Sequence, residues 1–177
     1  MDNHIVPECY IDTMLIQILV PPQKRYNHQH GCFDVSNEME LKGLKDKFAV
    51  GIIDNDKKKA KYLSGFDLIE KIGDSLTLLK HKNKHQYCIE ITPAVEVFIL
   101  KVCEEIEINL AEYGLPNELR ELKRITKSLT TSKDERFTKL FKQMKECENE
   151  KVKKLIHWIS LLKKDNYQVD INELKHG

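Results

Sequence analysis

The 177-residue chain lacks any stretch able to cross a bilayer. Its longest apolar run, Met14 to Val20, is interrupted by Gln17 and falls well short of the ~20 residues that a spanning helix needs. Paired cysteines are also missing. The five thiols, Cys9, Cys32, Cys88, Cys103 and Cys147, are odd in number and dispersed, with no Cys-x-x-Cys. That pattern argues against a disulfide framework and fits reduced thiols in a cytoplasmic protein. No sign of charge dominates: 29 Lys and Arg face 28 Asp and Glu, so the net charge of +1 exerts no global pull on nucleic acid. There is no internal repeat, no Gly/Ser linker and no Gly-x-x-x-x-Gly-Lys-[Ser/Thr] loop. The opening Met1-Asp2-Asn3-His4 has neither the basic start nor the long apolar core of a secretory signal. The expectation is a cytoplasmic protein with no membrane contact.

What is present is a pair of carboxylates behind a short apolar run, Phe48-Ala49-Val50-Gly51-Ile52-Ile53-Asp54-Asn55-Asp56. β-Branched residues ending in Asp-x-Asp predict a buried strand that delivers acids at its carboxyl end, where α/β sheets bind ligands. Side chains alternate along a strand, so Asp54 and Asp56 share a side and Asn55 points away. Two carboxylates held so close repel unless a proton or cation intervenes, and hard oxygen donors suit Mg²⁺ or Mn²⁺. Glu8 ends a first strand candidate, His4 to Cys9, and Asp12 opens the helix after it. The carboxyl ends of neighbouring parallel strands face one crevice, so Glu8 is expected to approach the Asp-x-Asp pair.

The remaining spacing predicts an α/β order. Apolar residues at 11, 15, 18 and 19 predict a helix that Pro21-Pro22 ends. Gly31 to Val35 predicts a second strand, and Ser36 caps a helix to about Lys47. Leu76–Leu79 and Gln86–Ile91 predict two strands joined by the basic segment Lys80 to His85. Thr92-Pro93 starts a helix using Val95, Ile99, Val102 and Ile106 and running to Tyr113-Gly114. Helices follow over 116–129 and, from the capping pattern Ser132-Lys133-Asp134-Glu135, in one long helix. Its apolar stripe, Phe137, Leu140, Phe141 and Met144 and then on to Leu162, is expected to pack on the core or on a partner. The expected organisation is an α/β portion, residues 1–92, and a helical extension, 93–177.

Pro7-Glu8-Cys9-Tyr10-Ile11-Asp12-Thr13-Met14-Leu15 and Val50-Gly51-Ile52-Ile53-Asp54-Asn55-Asp56 together resemble the glutamate and Asp-x-Asp motifs of the Toprim domain. Ile89-Glu90-Ile91-Thr92-Pro93-Ala94-Val95-Glu96 is similar to an acidic segment of its nuclease branch, related to the overcoming-lysogenization-defect family. The resemblance covers about the first hundred residues and departs at Cys9, where the family usually has glycine. It implies a mostly parallel sheet flanked by helices and a Mg²⁺- or Mn²⁺-dependent nuclease acting on DNA or RNA, in a defence-type setting with an ATPase partner or as a homo-oligomer. It implies Glu8, Asp54 and Asp56 as metal ligands and catalytic acids, with Asp12 beside them. Glu90 or Glu96 would hold a second metal, and Lys84, within the 80–84 segment, would stabilise phosphate charge. The basic run Lys57-Lys58-Lys59-Ala60-Lys61 is a further phosphate-binding candidate.

Other patterns point elsewhere. His28-x-His30-x-Cys32 offers three zinc donors but no fourth at a recognised spacing, which favours a loop. His81 and His85 would share a face only on a helix. Cys9 or Cys88 as a nucleophile lacks a patterned histidine partner. A different class remains open: a non-catalytic adaptor that docks a partner through its C-terminal helices.

Overall fold

The computed structural model describes residues 2–55, 59–128 and 131–176. Its sheet is mixed. β1 (Ile5–Pro7), β2 (Ala49–Asp54) and β5 (Gln86–Ile91) run parallel, and β4 (Leu76–His81) and β3 (Phe66–Ile72) continue antiparallel, in the order β1-β2-β5-β4-β3. The parallel half is the α/β unit expected from the sequence. The antiparallel half enters because β3, an edge strand not expected from the sequence, folds back on β4 through the turn at Gly73-Asp74.

Helices cover the two faces unequally. α1 (Tyr10–Leu19), α3 (Val95–Glu105), α5 (Glu135–Glu146) and α6 (Glu150–Asp165) bury Leu15, Phe98, Phe137 and Trp158 against Ile5, Val50, Ile52 and Ile89. The other face carries α2 (Cys32–Glu40), whose Val35 and Met39 pack on Val6, Ala49, Ile53 and Cys88. Both portions expected from the sequence therefore contribute to the larger core, and the apolar stripe from Phe137 to Met144 is buried within the chain while Lys139, Lys142 and Lys145 are exposed. Among the described residues no helix is long and apolar enough to cross a membrane.

Gly51 explains how α2 lies so close. A Cβ there would stand 2.9 Å from Met39 Sδ and 3.0 Å from Val35 Cγ1, so only glycine leaves the gap that the two side chains fill.

Several expected elements differ: the helix expected to about Lys47 ends at Glu40, and the one expected to reach Tyr113-Gly114 ends at Glu105. The strand expected at Gly31–Val35 is the first turn of α2: Gly31, at φ 118°, turns the chain, and Cys32, Val35 and Met39 then recur on one helical face. The single long C-terminal helix is two. Asp134 caps α5, accepting from Arg136 N at 3.0 Å, and after Cys147 the side chain of Asn149 caps α6, accepting from Lys151 N and Val152 N at 3.0 and 3.2 Å. α4 (Leu119–Thr126) is shorter than the helix expected over 116–129, and α7 (Ile171–His176) closes the described chain.

Candidate active site

The carboxyl edge of the three parallel strands gathers the acids. Register pairs Pro7 with Ile52, Ile53 with Glu90 and Asp54 with Ile91, so the ends of β1, β2 and β5 are level. Glu8 leaves β1 there, and its Oε2 accepts from the backbone N–H of Asp54 at 2.9 Å. Asp54 Oδ1 in turn accepts from Val95 N at 2.9 Å, capping α3, whose own N-cap residue, Ala94, has no side chain to offer. A sheet-end acid and the start of a helix are thus joined by one carboxylate.

Asp12, in the first turn of α1, lies beside this pair. It is 0% exposed, and neither carboxyl oxygen has a hydrogen-bond partner of good geometry among the described residues. Burial first, and then the charges of Asp54, Glu8 and Glu96, hold its carboxyl well above the ordinary range, with the neighbouring Cys9 thiol pulling the other way. A buried carboxylate in that position is costly unless it takes up a proton or a cation. Cys9 itself is pushed up by burial and by Asp12, and Cys88 by burial and Glu90, so both thiols stay protonated and neither is an activated nucleophile.

Other expected residues are placed differently. Glu90, on β5, is ion-paired with Lys59 at 2.6 Å, so an ammonium already compensates it. Glu96, in the first turn of α3, accepts a hydrogen bond from the Thr126 hydroxyl of α4. Lys84 is not brought to the acids. It precedes β5, whereas the acids sit past the end of that six-residue strand, about 15–20 Å away along the sheet. There it donates to Lys45 O at 2.8 Å, and Lys82 nearby pairs with exposed Asp67. The hairpin geometry that makes residues 80–85 a solvated tip also puts them at the wrong edge. Asp56, Lys57 and Lys58 lie outside the described residues.

The site is a cleft of about 430 Å³. Glu8, Asp54 and Glu96 line it with Cys9, and α4 contributes Lys123, Thr126 and Lys127 on one side. Tyr10, His28 and His30 line it as well. Tyr10 and His28 are stacked with ring centroids 4.2 Å apart, and His30 meets both rings edge-on. The Thr13 hydroxyl donates to Cys9 O at 2.7 Å, so its oxygen is left to accept from His28 Nδ1 at 2.9 Å, which assigns the ring proton to Nδ1 and leaves Nε2 as an acceptor. Burial, with His30 nearby, lowers His28 and keeps it neutral at neutral pH. Cys32 turns away into the α2 core, so the His-x-His-x-Cys pattern does not converge.

Neither this aromatic wall nor the basic face of α4 was anticipated from the sequence. The second had a signal, cations at 120, 123, 124 and 127, a helical spacing.

Glu8, Asp12 and Asp54 are oxygen donors of the kind that a hard divalent cation takes. Among the described residues, however, no group of three His, Cys, Asp or Glu side chains is arranged to hold a metal ion. Comparison with protein-family models, with curated proteins and with solved structures finds no match for the chain.

Proposed function

We propose that the chain is a metal-dependent phosphodiesterase of the Toprim kind, cleaving DNA or RNA at the carboxyl edge of β1, β2 and β5. The observation that carries this reading is Asp12: a fully buried carboxyl group that, the neighbouring Cys9 thiol apart, has no hydrogen-bond partner among the described residues, pressed by the Glu8–Asp54 pair at the strand ends. Glu8, Asp12 and Asp54 would hold Mg²⁺ or Mn²⁺, with Asp56 from the segment beyond β2. When bound, the ion would supply a nucleophilic hydroxide near neutral pH and offset charge on the departing oxygen.

The chain's own groups divide the remaining work. The Asp54 backbone N–H fixes one Glu8 oxygen, and α3 fixes one Asp54 oxygen, so both carboxylates are held before any ligand arrives. The protonated Cys9 thiol adds no competing charge. Lys59, bound to Glu90, holds an ammonium on β5.

The alternative, a non-catalytic adaptor that docks a partner through its C-terminal helices, draws no support from the Phe137–Met144 stripe, which packs in the chain's own core. An ATPase partner remains part of the proposal through the Toprim resemblance, and co-purification of ATPase activity would test it.

The direct test is cleavage of plasmid, linear duplex, single-stranded DNA and RNA in Mg²⁺ or Mn²⁺, with Asp54→Asn beside the wild type. Asparagine keeps an oxygen to cap α3 and removes the charge, so the variant is expected to fold and to lose cleavage. Equal cleavage by both proteins, or none by the wild type on any substrate, would remove the hydrolytic reading.

A further inference from the structure

α4 carries a local excess of positive charge that the near-neutral chain conceals. From Leu119 to Ser128 there are four cations, Arg120, Lys123, Arg124 and Lys127, and one acid, Glu121, which pairs with Arg124 at 3.0 Å. The cations follow an i, i+3, i+4, i+7 pattern, one face of a helix, while Leu122 and Thr126 are buried on the opposite side. Arg120, Arg124 and Lys127 are exposed. The stripe is continuous with the acid cleft: Lys123 and Lys127 line both that cleft and a neighbouring depression of about 440 Å³ formed with Arg120, Glu121 and Arg124. The cations Lys123 and Lys127 thus line the same cleft as the acids, and so do the mutually packed rings of Tyr10, His28 and exposed His30.

A row of cations beside flat rings is the combination that holds single-stranded nucleic acid, phosphates on the charges and bases on the rings. Depth decides between one strand and two. Glu8, only 3% exposed, lines a cleft whose volume lies in the small-molecule range, and Asp12 is buried behind it. A stacked duplex cannot present its backbone there without opening, whereas one unpaired strand can enter.

We propose that the cleft takes a single nucleic-acid strand, its phosphates tracked by Arg120, Lys123, Arg124 and Lys127 and a base against Tyr10 and His30, so that one phosphodiester reaches the acids. This rests on the hydrolytic reading of the site and adds the substrate form and the surface that delivers it.

The test is fluorescence anisotropy with a labelled twelve-nucleotide oligothymidylate or oligouridylate and a duplex of the same length, in EDTA so that binding is separated from metal and from cleavage. Wild-type protein should prefer the single strand by at least about tenfold. Four phosphate contacts give a log–log salt slope of about −2.8, roughly a fiftyfold loss between 50 and 200 mM salt. Arg120→Ala/Lys127→Ala, both exposed, should fold normally by circular dichroism and halve that slope, leaving roughly a sevenfold loss. Arg120→Glu/Lys127→Glu should weaken binding further, and His30→Ala should weaken it with the salt slope unchanged. Duplex binding as tight as single-strand binding, or an unchanged slope in the alanine variant, overturns the proposal. The two failures are distinguishable: single-strand binding of this form without cleavage in Mn²⁺ leaves the track standing and removes hydrolysis, and cleavage insensitive to both α4 variants does the reverse.

Discussion

Asp12 makes the apo protein sensitive to pH in a direction opposite to that of most carboxylates. Its folded-state pKa is raised by burial and by Asp54, Glu8 and Glu96, so above the unfolded pKa of ~3.9 the unfolded chain has released its proton while the folded chain retains it. Stability attributable to Asp12 is therefore full below about pH 4 and falls as pH rises, until the folded pKa is passed. The slope for one proton is about 1.4 kcal/mol per pH unit, so between pH 5 and 7 the loss reaches up to about 2.7 kcal/mol, or about 5–10 °C in melting temperature for a chain of this size. Two other groups titrate in the same window, since burial lowers His4 and His28; Asp2 and Glu105, also lowered, change stability only at more acid pH. These contribute the opposite slope but are common to wild type and Asp12→Asn. The assay is thermal unfolding of both proteins in EDTA from pH 4 to 8, read as the difference between the two curves. The variant should gain on the wild type steadily as pH rises. A difference curve that is flat would show that Asp12 is satisfied in the folded state, and the cation requirement inferred from it would go with it.

The packing and the corrected lysine give two further expectations. Gly51→Ala should cost about 1–3 kcal/mol, measured by urea unfolding, because its Cβ meets Met39 Sδ and Val35 Cγ1 at 2.9 and 3.0 Å; full stability would mean that α2 is free to move off β2. Lys84→Ala should lower stability by no more than about 1 kcal/mol and leave any Mn²⁺-dependent cleavage unchanged, since the side chain serves Lys45 O at the far edge of the sheet; a selective loss of kcat would return Lys84 to the site.

The meeting of Glu8 and Asp54 was legible because a strand-end acid needs only the strand and its direction to be located, and both strands announced themselves through β-branched residues. Asp12 was legible as a neighbour, but its isolation was not, since whether a buried oxygen finds a donor depends on tertiary packing. Lys84 misled because sequence distance says nothing about which edge a hairpin tip occupies; only the antiparallel pairing of β4 with β5 decides that. The partition of Glu90 from the other acids likewise depends on Lys59 folding back onto β5. β3 escaped notice as an edge strand in which Leu68 is exposed and charged and apolar residues do not alternate strictly, so the period of a half-buried strand is weak. Gly31 read as the entry to a strand because four apolar-leaning residues are too few to separate the two periods, and its positive φ is invisible before folding.

Whether the acids at the carboxyl edge take up a divalent ion can be measured without any substrate. In an electron paramagnetic resonance titration, aqueous Mn²⁺ gives a six-line signal that broadens on binding. Wild-type protein is expected to remove that signal saturably, while Asp54→Asn and Asp12→Asn, each folded by circular dichroism, lose most of the uptake. No saturable uptake by the wild type, or uptake unchanged in both variants, would contradict a metal site at Glu8, Asp12 and Asp54.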